Sequence, residues 1–305
     1  MKCFLLPVFF LLSVSTHASH WLGCGPALQQ RSIPLINQLS QTGDTYLSGS
    51  CWFAADKAAA ANRWLPGLPS VALQQSVPST LSSTDAPSDS QYQSLTAQLP
   101  LLSIDNVWLS LIGQYHYQRL PSSLRRNSYW SLRDQVIAAG QRVLVEDTRL
   151  NYAIEAHFLR AKPMLNTLGL EIQQRKQPIT LKQTLPGDAI VLTPVLYRLH
   201  TIYIGHQRLL RGWNVNWQLK LGQGELTDNG VQLLENREQN NQFQYLALQL
   251  ELNYRWRFNR QLHALVGYQI DGEYFNSANN KTAPYQIDSQ GLLHQQLVTA
   301  LEWRF

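Results

Sequence analysis

From Gln244 to Phe258 the chain reads QYLALQLELNYRWRF. Leu246, Leu248, Leu250, Leu252, Tyr254, Trp256 and Phe258 take every second position, and Tyr245, Gln249, Glu251, Asn253 and Arg255 fall between them. A period of two puts an apolar row on one face of a strand and a polar, charged row on the other. After the short turn Asn259-Arg260-Gln261 a partner strand follows. Its apolar row is Leu262, Ala264, Val266, Tyr268, Ile270 and Tyr274, and its polar row is His263, Gln269, Asp271 and Glu273. A third strand closes the chain, with Leu293, Leu297, Leu301, Trp303 and Phe305 alternating with His294, Gln296, Glu302 and Arg304. The pattern recurs at Trp213 to Leu221, Leu150 to Phe158 and Val107 to Tyr117.

The connections between these strands alternate in length. Asn259 to Gln261 and the region around Gly205 to Gln207 are tight, whereas Gly222 to Asn241 and Asn276 to Gly291 are long and rich in Asn, Gln and Gly. Short turns at one end and long loops at the other, on strands longer than the roughly 5 to 6 residues of globular sheets, describe an antiparallel transmembrane β-barrel. Alternation alone does not say which face is inside. A secreted sandwich or a lipocalin-like barrel would turn the apolar row inward. An even strand number is expected, so the recognisable strands predict eight or ten, or twelve if two short ones are added. So small a barrel is expected to be filled mostly by its own side chains.

Composition agrees with this division of faces. Of 305 residues, 44% are hydrophobic and only 15% charged, with 9 Trp, 13 Tyr and 9 Phe. That many large apolar groups argue against a solvated coil, yet beyond the first residues no window approaches the roughly 20 apolar residues of a spanning helix. The net charge of +5 is spread without a basic run beyond Arg125-Arg126, so nucleic acid is not an expected partner.

The N-terminus carries Lys2, the apolar run Phe4 to Leu12, and small residues at Thr16-His17-Ala18. This is the pattern of a secretory signal peptide, residues 1–18. Cys3 leaves with it. Cys24 and Cys51 then read as a disulfide closing a loop of about 27 residues, worth about 3 kcal/mol by loop entropy. The competing reading makes Leu22-Gly23-Cys24 a lipobox with Cys24 acylated; Trp21 stands where a small aliphatic residue is usual. Residues 19–65 read as a helical N-terminal segment, through Leu28, Ile33, Leu35, Ile36 and Leu39 and then the alanines at 54, 55 and 58 to 61. Residues 66–92, with Pro66, Pro69, Pro78 and Pro87 among Ser, Thr and Gln, read as a linker. Residues 93–305 are then the barrel.

The closing run Leu297 to Phe305 resembles the last strand of bacterial outer-membrane β-barrel proteins, with a terminal Phe preceded by alternating apolar and aromatic residues. The resemblance implies outer-membrane lipid as surroundings and the barrel-assembly machinery as a partner reading Leu301, Trp303 and Phe305. It also implies short turns in the periplasm, with the N-terminal segment there, available to a periplasmic or secreted partner.

None of the histidines from His116 onward stands in a His-x-Ser arrangement, and no Gly-x-Ser-x-Gly, His-x-x-x-His or Cys-x-x-Cys occurs; no metal or cofactor is expected. His116, His263 and His294 read as lumen residues. Glu251, Arg255, Asp271, Glu273, Glu302 and Arg304 share the polar rows of three successive strands, so opposite signs can pair across neighbours, as a charged constriction or as a plug. The expected role is a non-enzymatic structural barrel, narrow pore or export partner. Two alternatives are a membrane-embedded lipid hydrolase, which needs a nucleophile beside a barrel histidine, and a translocator barrel like those of autotransporters. About 210 residues leave little room for the twelve strands usual in the latter.

Overall fold

The computed structural model describes residues 19–31, 39–41, 44–56, 70–77, 91–104, 106–124, 130–132, 135–137, 142–161, 164–181, 190–210, 212–228, 242–277 and 290–304. The signal segment 1–18 and Phe305 lie outside them. The strands are β1 (Ser19–Arg31), β2 (Leu39–Gln41), β3 (Asp44–Asp56), β4 (Ser70–Val77), β5 (Gln91–Ile104), β6 (Val107–Leu124), β7 (Trp130–Leu132), β8 (Gln135–Ile137), β9 (Arg142–Ala161), β10 (Met164–Leu181), β11 (Ile190–Leu210), β12 (Trp213–Asp228), β13 (Gln242–Arg257), β14 (Leu262–Ser277) and β15 (Gln290–Arg304). β7 and β8 pair with each other, and β2 adds three residues to the end of β6. The remaining twelve form an antiparallel meander that closes on itself, β6 pairing with β9 and β15 with β1. Each of the twelve strands therefore has a ladder partner on both sides, the arrangement that lets a sheet stand in lipid.

The exposed face is the apolar one. Leu248 is 45% exposed while Tyr245 on the opposite face is 6%. In register across eight successive strands, Leu99, Leu111, Ile154, Leu170, Ile202, Leu221, Leu246 and Tyr274 form one continuous lateral row, all outward. Soluble proteins rarely expose contiguous apolar surface beyond a few hundred Å², and this row is only one of several around the belt. The alternation therefore belongs to a barrel with lipid outside and polar groups inside, and the sandwich and lipocalin-like readings fall.

Strand ends Ile104/Val107, Ala161/Met164, Leu210/Trp213 and Arg257/Leu262 are joined by two to four residues, at the rim that also carries Ser19 and Arg304. Two of these turns have clear causes. Asn259 Oδ1 accepts from the backbone N–H of Gln261 at 2.8 Å and of Leu262 at 2.7 Å, an Asx turn. Gly212 has φ of 94°, a left-handed conformation that a side chain would disfavour. The tight connection anticipated near Gly205 is this one, because β11 runs on to Leu210. Trp213, Tyr254 and Trp256 pack at this rim in tilted and edge-on contacts, centroids 4.7 and 4.4 Å apart, as the interfacial aromatic girdle of such barrels.

The N-terminal third differs from the sequence reading. There is no helix among the described residues, and β1 and β3 are wall strands where a helical segment is expected over 19–65. Inward Trp21, Ala27, Ser48 and Trp52 alternate with outward Leu22, Leu28 and Leu47. The period of two was masked because many wall positions carry Gly, Ser, Ala or Pro. Gly25 shows why small residues stand there: a side chain would run into the Thr299 carbonyl of the closing strand. β4 lies inside the stretch read as a linker, and β5 and β6 form a hairpin after it. The barrel thus includes β1 from Ser19, well before residue 93, and it has twelve strands, the highest of the numbers the sequence admits. The alanines at 58 to 61 lie outside the described residues.

Cys24 and Cys51 are directly opposed on β1 and β3, Cα atoms 4.2 Å apart, and form the disulfide. The bond uses the Cys24 thiol, which removes the acylated alternative. It lies in the barrel wall on the outward face, rather than closing a separate periplasmic segment.

Candidate solute pathway through the barrel

Inward positions follow from parity. On β9 the outward Tyr152 and Ile154 leave Asp147, Arg149, Asn151, Glu155 and His157 facing the lumen, and β10 contributes Glu171, Gln173 and Arg175 in the same way. A buried charge needs a compensating partner, and these strands supply them across the lumen as well as between neighbours.

Toward the rim with the long connections, Arg175 clamps Asp147 through two bonds of 2.6 Å each. Arg149 reaches Glu273 at 3.1 Å. β9 and β14 are five strands apart along the ring, so this ion pair crosses the lumen. The Tyr245 hydroxyl donates to the same Glu273 oxygen at 3.2 Å, and His294 Nε2 lies 3.7 Å from the other. Behind this layer Phe243, Tyr245 and Phe275 pack as an aromatic group, centroids 5.8 and 5.1 Å apart.

At the short-turn rim a second layer forms. Arg255 meets Glu302 at 2.5 Å through Nε and 3.1 Å through a terminal nitrogen. The Arg255 and Arg304 guanidinium carbons lie 5.3 and 5.7 Å from the Trp21 ring centroid, and His263 sits edge-on to Trp21 at 4.9 Å. Such cation–π contacts are favourable in desolvated surroundings.

Between the layers lies a chamber of about 450 Å³. Trp52, Leu265 and Ala300 pack on its short-turn side. The rest of its wall is rich in Gln and Asn, and it carries five carboxylates, Glu155, Glu171, Glu251, Asp271 and Glu273, against two fixed cations, Arg149 and Lys220. Lys220 meets Glu171 at 2.6 Å, and Tyr203 donates to Glu155 at 2.5 Å. Glu251 is held by amides, accepting from Asn253 Nδ2 at 2.6 Å and Asn216 Nδ2 at 3.4 Å. Asp271 accepts from Gln269 Nε2 at 2.8 Å. One array resembles acid–base machinery: Thr167 Oγ1 is 3.2 Å from His157 Nδ1, and Glu155 is 3.1 Å from His157 Nε2. It faces the chamber and not the lipid. Among the described residues no group of three His, Cys, Asp or Glu is placed to hold a metal ion.

The six charged residues anticipated from the sequence all lie on inward-facing positions, but the structure does not bring them into one cluster. Arg255, Glu302 and Arg304 belong to the short-turn layer, Glu273 to the cross-lumen layer, and Glu251 and Asp271 to the chamber wall. Arg149, Asp147, Arg175, Glu171 and Lys220 were missed. Parity on β9, β10 and β12 was the available signal for their facing, but nothing in the sequence pairs β9 with β14. Leu301 and Trp303 face outward at the short-turn rim.

A closed antiparallel barrel with an apolar belt, an aromatic rim and a charged lumen is a transmembrane β-barrel. No family model matches the chain, and no curated protein matches it by sequence. Among solved structures it is similar to the translocator domain of autotransporter NalP from Neisseria meningitidis, with 13% identity and a TM-score of 0.43 over 98% of this chain and 92% of that one. It is also similar to the Pseudomonas putida toluene transporter TodX, with 10% identity and a TM-score of 0.35 over 96% and 90%. For the NanC porin the identity is 9% and the TM-score 0.36, over 94% of this chain and 100% of that one.

Proposed function

We propose that this chain is an integral outer-membrane barrel that acts as a narrow, gated, non-enzymatic pore for small polar solutes, with a preference for cations. The observation that carries this reading is the polar chamber in the lumen with the Arg149–Glu273 ion pair across it. A barrel serving only as a scaffold has no need of an internal polar space of about 450 Å³, and an open channel would not be crossed by Arg149–Glu273. The excess of carboxylates on the chamber wall favours positive charge in transit. In this reading the short-turn rim faces the periplasm, and Leu301, Trp303 and Phe305 are the segment presented to the assembly machinery.

The two alternatives are less well supported. A threaded translocator segment would have to pass the Arg149–Glu273 pair, and Ser19–Arg31 and Asp44–Asp56, the stretch such a segment would come from, are wall strands. For a lipid hydrolase, the Thr167–His157–Glu155 array lies inside the lumen, and the backbone N–H groups of β9 and β10 are committed to the ladder instead of to an oxyanion site.

Planar-bilayer recording tests the proposal. Wild-type protein is expected to give small, infrequent steps that reverse toward the cation potential in a salt gradient, and Arg149→Ala should raise the open fraction. Absence of steps from both proteins, each shown to be folded by heat-modifiable gel mobility, would leave only the scaffold reading.

A further inference from the structure

The outward face of β11 to β14 ends differently at its two rims. Toward the long connections, Arg198 on β11 is ion-paired with Glu225 on β12 at 3.7 Å, and Asn276 on β14 donates to Gln244 on β13, amide to amide. At the short-turn rim stand Arg208, on the outward row two positions before the end of β11, and Arg257 and Arg260 at the β13–β14 turn, all three exposed. None of the three enters an ion pair with a described carboxylate; Arg257 donates through Nε to the Asn259 carbonyl at 3.2 Å. Aromatic groups lie between them. Trp213 opens β12, Trp256 is outward on β13, and Phe258 in the turn is 65% exposed, more than any other large apolar side chain among the described residues. The rim is knit together, because the Arg255 backbone N–H donates to the Gly212 carbonyl at 3.0 Å and Trp213 packs on Tyr254.

An outward cation on a membrane strand is tolerated where its stem carries the charge to the interface. Arg208 shares its lateral row with Val215 and Leu252, so its guanidinium has to run toward the rim, to the level of Arg257 and Arg260. Neighbouring strands lie about 4.8 Å apart, which puts β11 and β13 about 10 Å from each other and makes one patch of the three arginines. Resting on the membrane placement in the proposed function, we propose that this rim is a binding surface for an anionic glycerophospholipid. Its phosphate accepts from the guanidinium groups of Arg208, Arg257 and Arg260, the geometry in which arginine pairs most strongly. Its acyl chains lie against Trp213, Trp256 and Phe258. A zwitterionic lipid offers the same phosphate but brings its own ammonium group, which offsets the attraction. At the opposite rim Glu225 already compensates Arg198, so no such preference is expected there.

The test uses the full-length barrel in vesicles where brominated phosphatidylcholine quenches tryptophan fluorescence and unbrominated lipid competes with it for the protein surface. Trp213, Trp256 and Trp303 stand outward at the short-turn rim, so the quenching reports on it. The wild type is expected to select phosphatidylglycerol over phosphatidylcholine by about fivefold or more, the scale of one arginine at an anionic headgroup. Most of that selection should disappear at about 1 M salt, where screening is strong. Arg208→Gln combined with Arg257→Gln and Arg260→Gln should abolish it, and Arg198→Gln at the other rim should leave it in place. Equal partition of the two lipids in the wild type overturns the proposal, and that measurement needs no variant to fold. A selection untouched by the triple substitution, or lowered as much by Arg198→Gln, puts the lipid elsewhere and overturns it too. If inorganic phosphate abolishes the selection at matched ionic strength, the arginines form a free-anion site and the lipid assignment falls. Bilayer steps from a barrel without lipid selection refute this inference alone, and selection without steps refutes only the pore.

Discussion

Leu170 stands midway along β10, 63% exposed, with Ile154 and Ile202 as its lateral partners. Replacing it by Arg tests which solvent the outer face meets. In lipid, an outward cation near the midplane of a barrel costs about 2 to 4 kcal/mol, equivalent to a shift of about 30-fold to 700-fold in the folding equilibrium. In water the same exposed position would tolerate Arg within about 0.5 kcal/mol. The two readings differ by more than the error of an equilibrium unfolding curve. The assay is urea titration of protein folded into phosphatidylcholine vesicles, followed by tryptophan fluorescence and heat-modifiable mobility. Gln249→Arg is the control: it faces the chamber, directly across the ladder from Asp271, and should cost far less than Leu170→Arg. Equal costs for the two variants, or no cost for Leu170→Arg, would refute the placement of the belt in lipid.

Three further outcomes are expected. Arg255→Ala removes the guanidinium from a carboxylate that is 0% exposed, so it should destabilise the barrel by about 3 to 5 kcal/mol; adding Glu302→Gln should recover part of the loss in the same urea titration, and no recovery would show that the pair is not coupled. Cys24→Ser with Cys51→Ser opens a 27-residue loop, a loss of about 3 kcal/mol by loop entropy, and should lower the temperature of the gel-mobility transition, as reductant should with the wild type; identical midpoints would speak against a stabilising role. Deleting Phe305 should reduce the folded fraction recovered in outer membranes, and an unchanged fraction would reject the C-terminal segment as an assembly signal.

How much was legible depended on the contrast between faces. Along the middle of β13, β14 and β15 the outward residues are mostly Leu, Tyr, Trp, Val or Ile, and the charged and most of the amide side chains are inward, so strands, facing and even the tight turn at Asn259 could be read directly. On β1 the inward row is mostly small, with Gly23, Gly25 and Ala27, and on β3 small residues stand on both rows at Ser48, Gly49 and Ser50. A small side chain marks neither face, and the adjoining alanines satisfy a helical propensity as well. The sequence therefore reads β1 and β3 as a separate segment, and the strands it marks clearly number fewer than twelve. The cysteines were legible because their pairing needs only two thiols, whereas their place in the wall depended on recognising β1 and β3.

The chain by itself determines that it must divide its residues between two surfaces, because its apolar and polar groups are interleaved and a strand is the conformation that separates a period of two. Only the closed structure decides which surface is inside and what meets across it. Arg149 and Glu273 are 124 residues apart in sequence; they face each other because twelve tilted strands return the sheet to its start, and no local pattern encodes a partner on the far side of a lumen. The two ion-pair layers and the chamber between them are consequences of that closure.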